Sequence, residues 1–99
     1  MSIRRRIAAR STMALMFPNH SRSYDATRRA VRFWGHDSAM EWSFFVTEDA
    51  LRSVHPEMGQ GEAGMLEAFD SHRDRILAAA SKAYSHGRKG SYEIGAMDL

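Results

Sequence analysis

The sequence predicts a two-layer α+β domain, an antiparallel sheet of about four strands with two helices on one face, in the order βββααβ. Three observations carry this expectation. Apolar and polar residues alternate from Arg28 to Trp34 and again from Ala39 to Thr47, with Gly35, His36, Asp37 and Ser38 between them as hairpin material. From Glu62 to His86 the apolar residues Leu66, Phe69, Ile76, Leu77, Ala80, Ala83 and Tyr84 recur at three- and four-residue spacing, the period of a long amphipathic helix. Alternation returns from Ser91 to Met97, with Tyr92, Ile94 and Ala96 on one side.

In chain order, Met1 to Thr12 (MSIRRRIAARST) is arginine-rich, lacks acidic residues and has no apolar period. It reads as a disordered leader or an over-extended start, with Met13 as the expected true beginning. Met13, Leu15 and Phe17 fall on one side of an extended segment that Pro18 ends, which predicts the first strand. Asn19 to Asp25 is polar and turn-rich, hence a loop. In the hairpin, setting Trp34 opposite Ala39 pairs Phe33 with Met40, Val31 with Trp42 and Arg32 with Glu41. Val31, Phe33, Met40, Trp42, Phe44 and Val46 then share one face, and Arg32 meets Glu41 as a cross-strand charge pair on the other.

Thr47 has the character of an N-cap, with Glu48 and Asp49 where the helix dipole favours acid and Leu51 and Val54 on one side. A short helix follows and stops before Pro56. Gly59, Gly61 and Gly64 read as a flexible link to the long helix, which Gly87 ends as a C′ residue; Gly90 marks the next turn.

The chain has 99 residues, 43% of them apolar, so residues 13–99 make one domain with a single core. No apolar run approaches the roughly 18 residues that cross a bilayer, and no secretory signal is visible, so a cytoplasmic location is expected. The absence of cysteine excludes disulfides, thiolate metal sites and thiol nucleophiles. The net charge of +2 resides in the leader: with Arg4, Arg5, Arg6 and Arg10 set aside, 10 basic residues face 12 acidic ones, a balance of −2. The folded part is therefore not basic, which weakens a nucleic-acid reading.

The landmarks together have a precedent. Phe17 and Pro18 close the opening strand; Ser23, Tyr24 and Asp25 follow, then Val31 and Phe33. The run from Phe44 to Leu51 comes next, then Phe69, Arg73 and Ile76 on the long helix and Tyr92 on the last strand. In this order the chain resembles the small bacterial proteins grouped as domain-of-unknown-function family 1488, over nearly everything after Met13. The resemblance implies a fold and a bacterial setting and brings no activity. It also favours Met13 as the start.

Candidate chemistry is sparse. The histidines His20, His36, His55, His72 and His86 lack metal-ligand spacing, no nucleophile elbow occurs, and the glycines near the helix start lack the lysine and hydroxyl of a nucleotide loop. No catalytic residue, metal site or cofactor is expected. Two groups stand out. Trp34 and Phe45, with Arg28 and Arg32 near by, form a candidate interaction surface on the hairpin face that the helices do not need. Arg73 lies inside the apolar stripe of the long helix, where a guanidinium demands a partner; Asp25 is the first choice and Asp98 the second. The expected function is a non-enzymatic module that binds itself or another protein, with no membrane partner. The alternatives are a nucleic-acid-associated accessory protein and a small anion-binding or enzymatic domain centred on Arg73.

Overall fold

The structure, a computed structural model, describes residues 15–38, 40–85 and 91–99. Strands β1 (Arg22–Asp25), β2 (Ala30–Asp37) and β3 (Met40–Thr47) lead into helices α1 (Glu48–Val54), α2 (Gly61–Ser71) and α3 (Arg73–Ser85). Strand β4 (Ser91–Ile94) follows, and a 3₁₀ turn over Ala96–Asp98 comes last. The sheet order is β1-β2-β3-β4, with the first two pairings antiparallel and β3–β4 parallel. The expected α+β class and element order hold, but the sheet is mixed rather than antiparallel. The reason is the helical crossover: it carries the chain back past the start of β3, so β4 enters in the same direction. The expected leader (1–12), the helix end at Gly87 and the turn at Gly90 lie outside the described residues.

The first strand also differs from expectation. Met16 makes a single antiparallel bridge to His36, with both N–H···O distances 2.8 Å, and the regular strand is the polar stretch Arg22–Asp25. Its alternation is hidden because Arg22 and Tyr24, opposite Phe33 and Val31, both face the helices, and the arginine looks solvent-directed in sequence.

The β2–β3 hairpin forms, but four residues out of the expected register. Phe33 pairs with Phe44, Arg32 with Phe45 and Gly35 with Trp42; Glu41 faces His36, at 3.3 Å from its Nε2, rather than Arg32. β2 runs to Asp37 and β3 starts at Met40, and Ser38 takes the positive φ (57°) characteristic of a tight hairpin. Gly35 stays inside β2 because Phe17 crosses there: a Cβ would lie 2.9 Å from its ring and 3.0 Å from the Leu15 side chain. Met40, expected among the core residues, sits at the strand start and is 56% exposed.

α1 follows its sequence signals: Thr47 Oγ1 accepts from the Ala50 N–H at 3.2 Å, and the helix stops at His55, before Pro56. The long helix is two helices. At His72 (φ −124°, ψ 27°) the backbone leaves helical geometry for one residue; its N–H is shared between the Ala68 and Phe69 carbonyls, both at 3.2 Å. One core cluster joins Val31, Phe33, Phe44, Val46, Tyr92 and Ile94 of the sheet to Leu51, Met65, Phe69, Ile76 and Ala80 of the helices. The helices thus cover one face of the sheet and leave the other.

Candidate functional site on the outer sheet face

Strand alternation places Arg32 and Trp34 of β2, Ser43 and Phe45 of β3 and Glu93 of β4 on the face turned away from the helices. Phe45 is only 6% exposed, yet it stands outside the apolar core cluster. Arginine lies over it: the Arg28 guanidinium carbon is 4.3 Å from the ring centroid, and that of Arg32 is 5.6 Å from Phe45 and 5.1 Å from Trp34. Each such stacking contributes about 0.5–1 kcal/mol at a solvent-facing site. Arg32 Nη2 donates to Ser43 Oγ at 2.9 Å, while its Nε is buried with no hydrogen-bond partner. The structure therefore brings Arg28, Arg32, Trp34 and Phe45 into one cluster.

Arg28 is aimed by the turn between β1 and β2. Asp25 Oδ1 accepts from the Arg28 backbone N–H and Oδ2 from its guanidinium, both at 3.0 Å. These contacts, the backbone donor foremost, hold the Asp25 carboxyl below the usual carboxylate range. An Asp two residues before the turn centre is an Asx-turn signal, and that local role consumes the carboxylate assigned above to Arg73.

Arg73 and Asp25 are not brought together. The break at His72 makes Arg73 the first residue of α3 and turns it to the rim, its side chain 20% exposed over the Phe69 ring, 4.8 Å from the centroid. It donates to the His20 carbonyl at 3.1 Å and to Asp70 Oδ1 at 3.2 Å. Asp70 also takes a bidentate pair from Arg22, 2.9 and 2.7 Å long. The hydrogen bond from Arg22 is the main cause that lowers the Asp70 carboxyl's pKa; the charges of Arg22 and Arg73 add to it. Asp98, the second choice, accepts from the Gly95 N–H at 2.8 Å instead. Arg73 Nη2 thus clips the loop before β1 to the end of α2.

Two further pairs had no sequence signal, because their members lie far apart in the chain. Tyr84 donates to Asp37 Oδ2, tying α3 to the hairpin tip. His55 Nδ1 and His72 Nε2 are 3.1 Å apart. Among the described residues no group of three or more His, Asp or Glu side chains is placed to hold a metal, and no helix is long and apolar enough to cross a membrane.

With this fold and face in view, the comparisons with known proteins are specific. The family model described as "Protein of unknown function (DUF1488)" matches residues 15–95. The chain belongs to the DUF1488 family. A crystal structure of a DUF1488 protein of unknown function from Shewanella loihica PV-4 is similar, with a TM-score of 0.74 at 16% identity. The similarity covers 83% of this chain and 92% of that one; at this identity it shows the fold alone. No curated protein matches the chain.

Proposed function

We propose that this DUF1488 protein is a non-enzymatic interaction module of the bacterial cytoplasm that pairs with a second copy of itself through the outer face of its sheet. The observation that carries the reading is Phe45, an aromatic ring removed from water outside the core and roofed by two arginine side chains. Arginine stems are mobile covers that a partner surface can replace while keeping the stacked geometry. The same face carries both signs of charge: the Arg28 and Arg32 guanidinium groups over Phe45, Glu41 towards the hairpin tip and Glu93 on the edge strand β4. A two-fold axis displaced from the centre of such a face sets the arginines of one copy against an acidic margin of the other, which makes it self-complementary.

The size of the face sets the strength. Four strands about 4.8 Å apart, up to eight residues long at ~3.3 Å each, give roughly 400–500 Å². That is below the roughly 800 Å² per partner of a standard stable interface, so the pairing is concentration-dependent and weak. Sedimentation across micromolar to near-millimolar protein tests it. The wild type is expected to shift toward dimer as concentration rises, and Arg32→Glu or the pair Trp34→Ser and Phe45→Ser to hold it monomeric with the far-ultraviolet spectrum intact. A wild type that stays monomeric at the highest concentration would overturn the reading. Salt-sensitive binding of single-stranded oligonucleotide by that monomer would move the face to the nucleic-acid alternative.

A further inference from the structure

The strand pairings line up the outer face in rows that cross the sheet. Ser23, Arg32, Phe45 and Glu93 stand side by side in one row, and Trp34, Ser43 and Ser91 in the next. Met16, His36 and Glu41 form a row at the hairpin tip, and Asp25, Ala30 and Thr47 one at the opposite end. Successive rows are two residues apart, about 6.6 Å. The row of Trp34 therefore lies midway between the row of Phe45 and the row of Glu41.

Both arginines bring their charge to the same place. The Arg28 and Arg32 guanidinium carbons are 4.3 and 5.6 Å from the Phe45 ring centroid, so the cationic spot sits on β3. A two-fold operation can lay this spot over either of two carboxylates: Glu93, beside Phe45 on β4, or Glu41, two rows away on β3 itself. To reach Glu93 the axis must run along the strands between β3 and β4. Only those two strands, about 4.8 Å apart, then overlap, and Trp34 on β2 is left uncovered. To reach Glu41 the axis must cross the strands through the row Trp34–Ser43–Ser91. Three rows then overlap, about 13 Å along the strands, from the Met16 segment across to β4. The strands of the two copies stay aligned, as they do in ordinary sheet-on-sheet packing.

We propose that the second copy docks across the row Trp34–Ser43–Ser91, so that the guanidinium groups over Phe45 in each copy meet Glu41 of the other. The proposal rests on the reading that the outer face self-associates, and adds where the axis lies and which residues meet. Trp34 faces its own counterpart near the axis, Arg32 comes opposite His36, and Ser23 opposite Met16; every contact off the axis occurs twice. The arrangement covers side chains that a single chain leaves in water, since Met16 is 64% exposed and Trp34 only half-buried. Glu41 is held on this face by His36, whose Nε2 is 3.3 Å from its carboxylate. Glu93 falls beyond the second copy's Ser91 and takes no part.

A charge exchange tests this register in the full chain. Arg32→Glu sets carboxylate against carboxylate twice, and Glu41→Arg sets guanidinium against guanidinium twice, so each variant alone is expected to self-associate roughly tenfold more weakly than the wild type. Mixed in equal amounts, the two variants place opposite charges at both contacts. Sedimentation should then show a mixed dimer roughly tenfold tighter than either variant with itself, an advantage that shrinks at high salt. Glu93→Arg is the control and should pair as the wild type does. Amide shifts of the wild type on dilution need no variant and decide the matter if Arg32→Glu does not fold: they are expected at Trp34, His36 and Glu41 and not at Thr47. Three results would overturn the register while leaving self-association standing: a wild type that pairs although the mixture is no tighter than its components, pairing lost in Glu93→Arg, or shifts at Thr47 and Glu93 with Trp34 and His36 unmoved. A wild type that stays monomeric at the highest concentration overturns both.

Discussion

Alanine is a better helix former than glycine, so replacing a glycine in a helix stabilises it by about 1 kcal/mol when nothing stands in the way. At Gly64 we expect the opposite. The residue is buried in the first turn of α2, and a Cβ there would lie 2.1 Å from the Gly59 carbonyl oxygen and 2.3 Å from its carbonyl carbon. Both atoms are backbone, so no side chain can swing aside; either α2 or the segment before it must move. Overpacking of this kind costs about 1–3 kcal/mol, and a contact with backbone belongs at the upper end. The clash therefore outweighs the propensity gain, leaving a net loss of about 1–2 kcal/mol. For a chain of this size that is on the order of 5–10 °C in Tm. Gly59→Ala is the control from the other side of the contact. Its Cβ would meet the Gly64 Cα at 3.7 Å, ordinary van der Waals distance, and Gly59 does not have a positive φ. It should be neutral, or stabilising by up to ~1 kcal/mol through the unfolded chain. Urea unfolding with m-values checked for constancy measures both. If Gly64→Ala stabilises by the amount that helix propensity alone predicts, the close seating of α2 on Gly59 is wrong.

The remaining predictions concern charges and the core. Asp70→Asn and Arg73→Ala should be non-additive in a double-mutant cycle, whereas Asp25→Asn and Arg73→Ala, which share no partner, should add to within ~0.5 kcal/mol. Asp25, Glu48 and Asp70 all have carboxyl pKa values lowered chiefly by hydrogen bonds from arginine neighbours, so the stability they contribute is present above the ordinary carboxylate range. It should be lost as pH falls below about 4, and less so at high salt; a flat acid limb would contradict these assignments. Phe44→Ala, at a fully buried ring, should cost about 3–5 kcal/mol, Arg32→Ala about 1 kcal/mol or less, and half-buried Trp42→Ala a value between. Equal costs at Phe44 and Arg32 in chemical denaturation would mean that the two faces of the sheet are exchanged.

What could be read from the sequence was whatever depends on local pattern. α1 obeyed its cap, its acidic first turn and its proline stop because all three act within a few residues. The long helix was legible as an apolar period but not as two helices. Its interruption rests on a single residue, His72, whose N–H remains bonded to carbonyls of the preceding turn, so composition and spacing hardly change. That one residue nonetheless altered the fate of Arg73. In an unbroken helix its stem lies under the stripe of Leu66, Phe69 and Ile76; as the first residue of α3 it reaches the rim and the His20 carbonyl. The demand that it find a carboxylate and a carbonyl followed from the cost of a lone buried cation. Which carboxylate it found depended on geometry that only the fold supplies.

The hairpin shows why a wrong register can still locate the right face. The expected pairing and the observed one differ by four residues, and the side-chain period of a strand is two. An even slip leaves every residue on its own side: Val31, Phe33, Trp42, Phe44 and Val46 stay toward the helices, and Arg32, Trp34 and Phe45 stay away from them. What the slip changes is the partner across the ladder. Arg32 loses Glu41 and gains Phe45, so an expected ion pair becomes a cation over an aromatic ring, with the Ser43 hydroxyl accepting from its guanidinium. The turn decides this. A four-residue loop beginning at Gly35 would leave Glu41 beside Arg32, whereas β2 runs on to Asp37, opposite Met40, and sets Glu41 across from His36. Gly35 resists the first arrangement because the Phe17 ring needs the space its missing side chain leaves within the strand. Gly35→Ala therefore tests turn and face together. A methyl 2.9 Å from that ring should displace Phe17 from Phe33 and Phe44 and destabilise by about 1–3 kcal/mol while the β2–β3 pairing persists. A variant of unchanged stability, with cross-strand nuclear Overhauser contacts from Arg32 to Glu41 instead of from His36 to Glu41, would show that the hairpin turns at Gly35 after all.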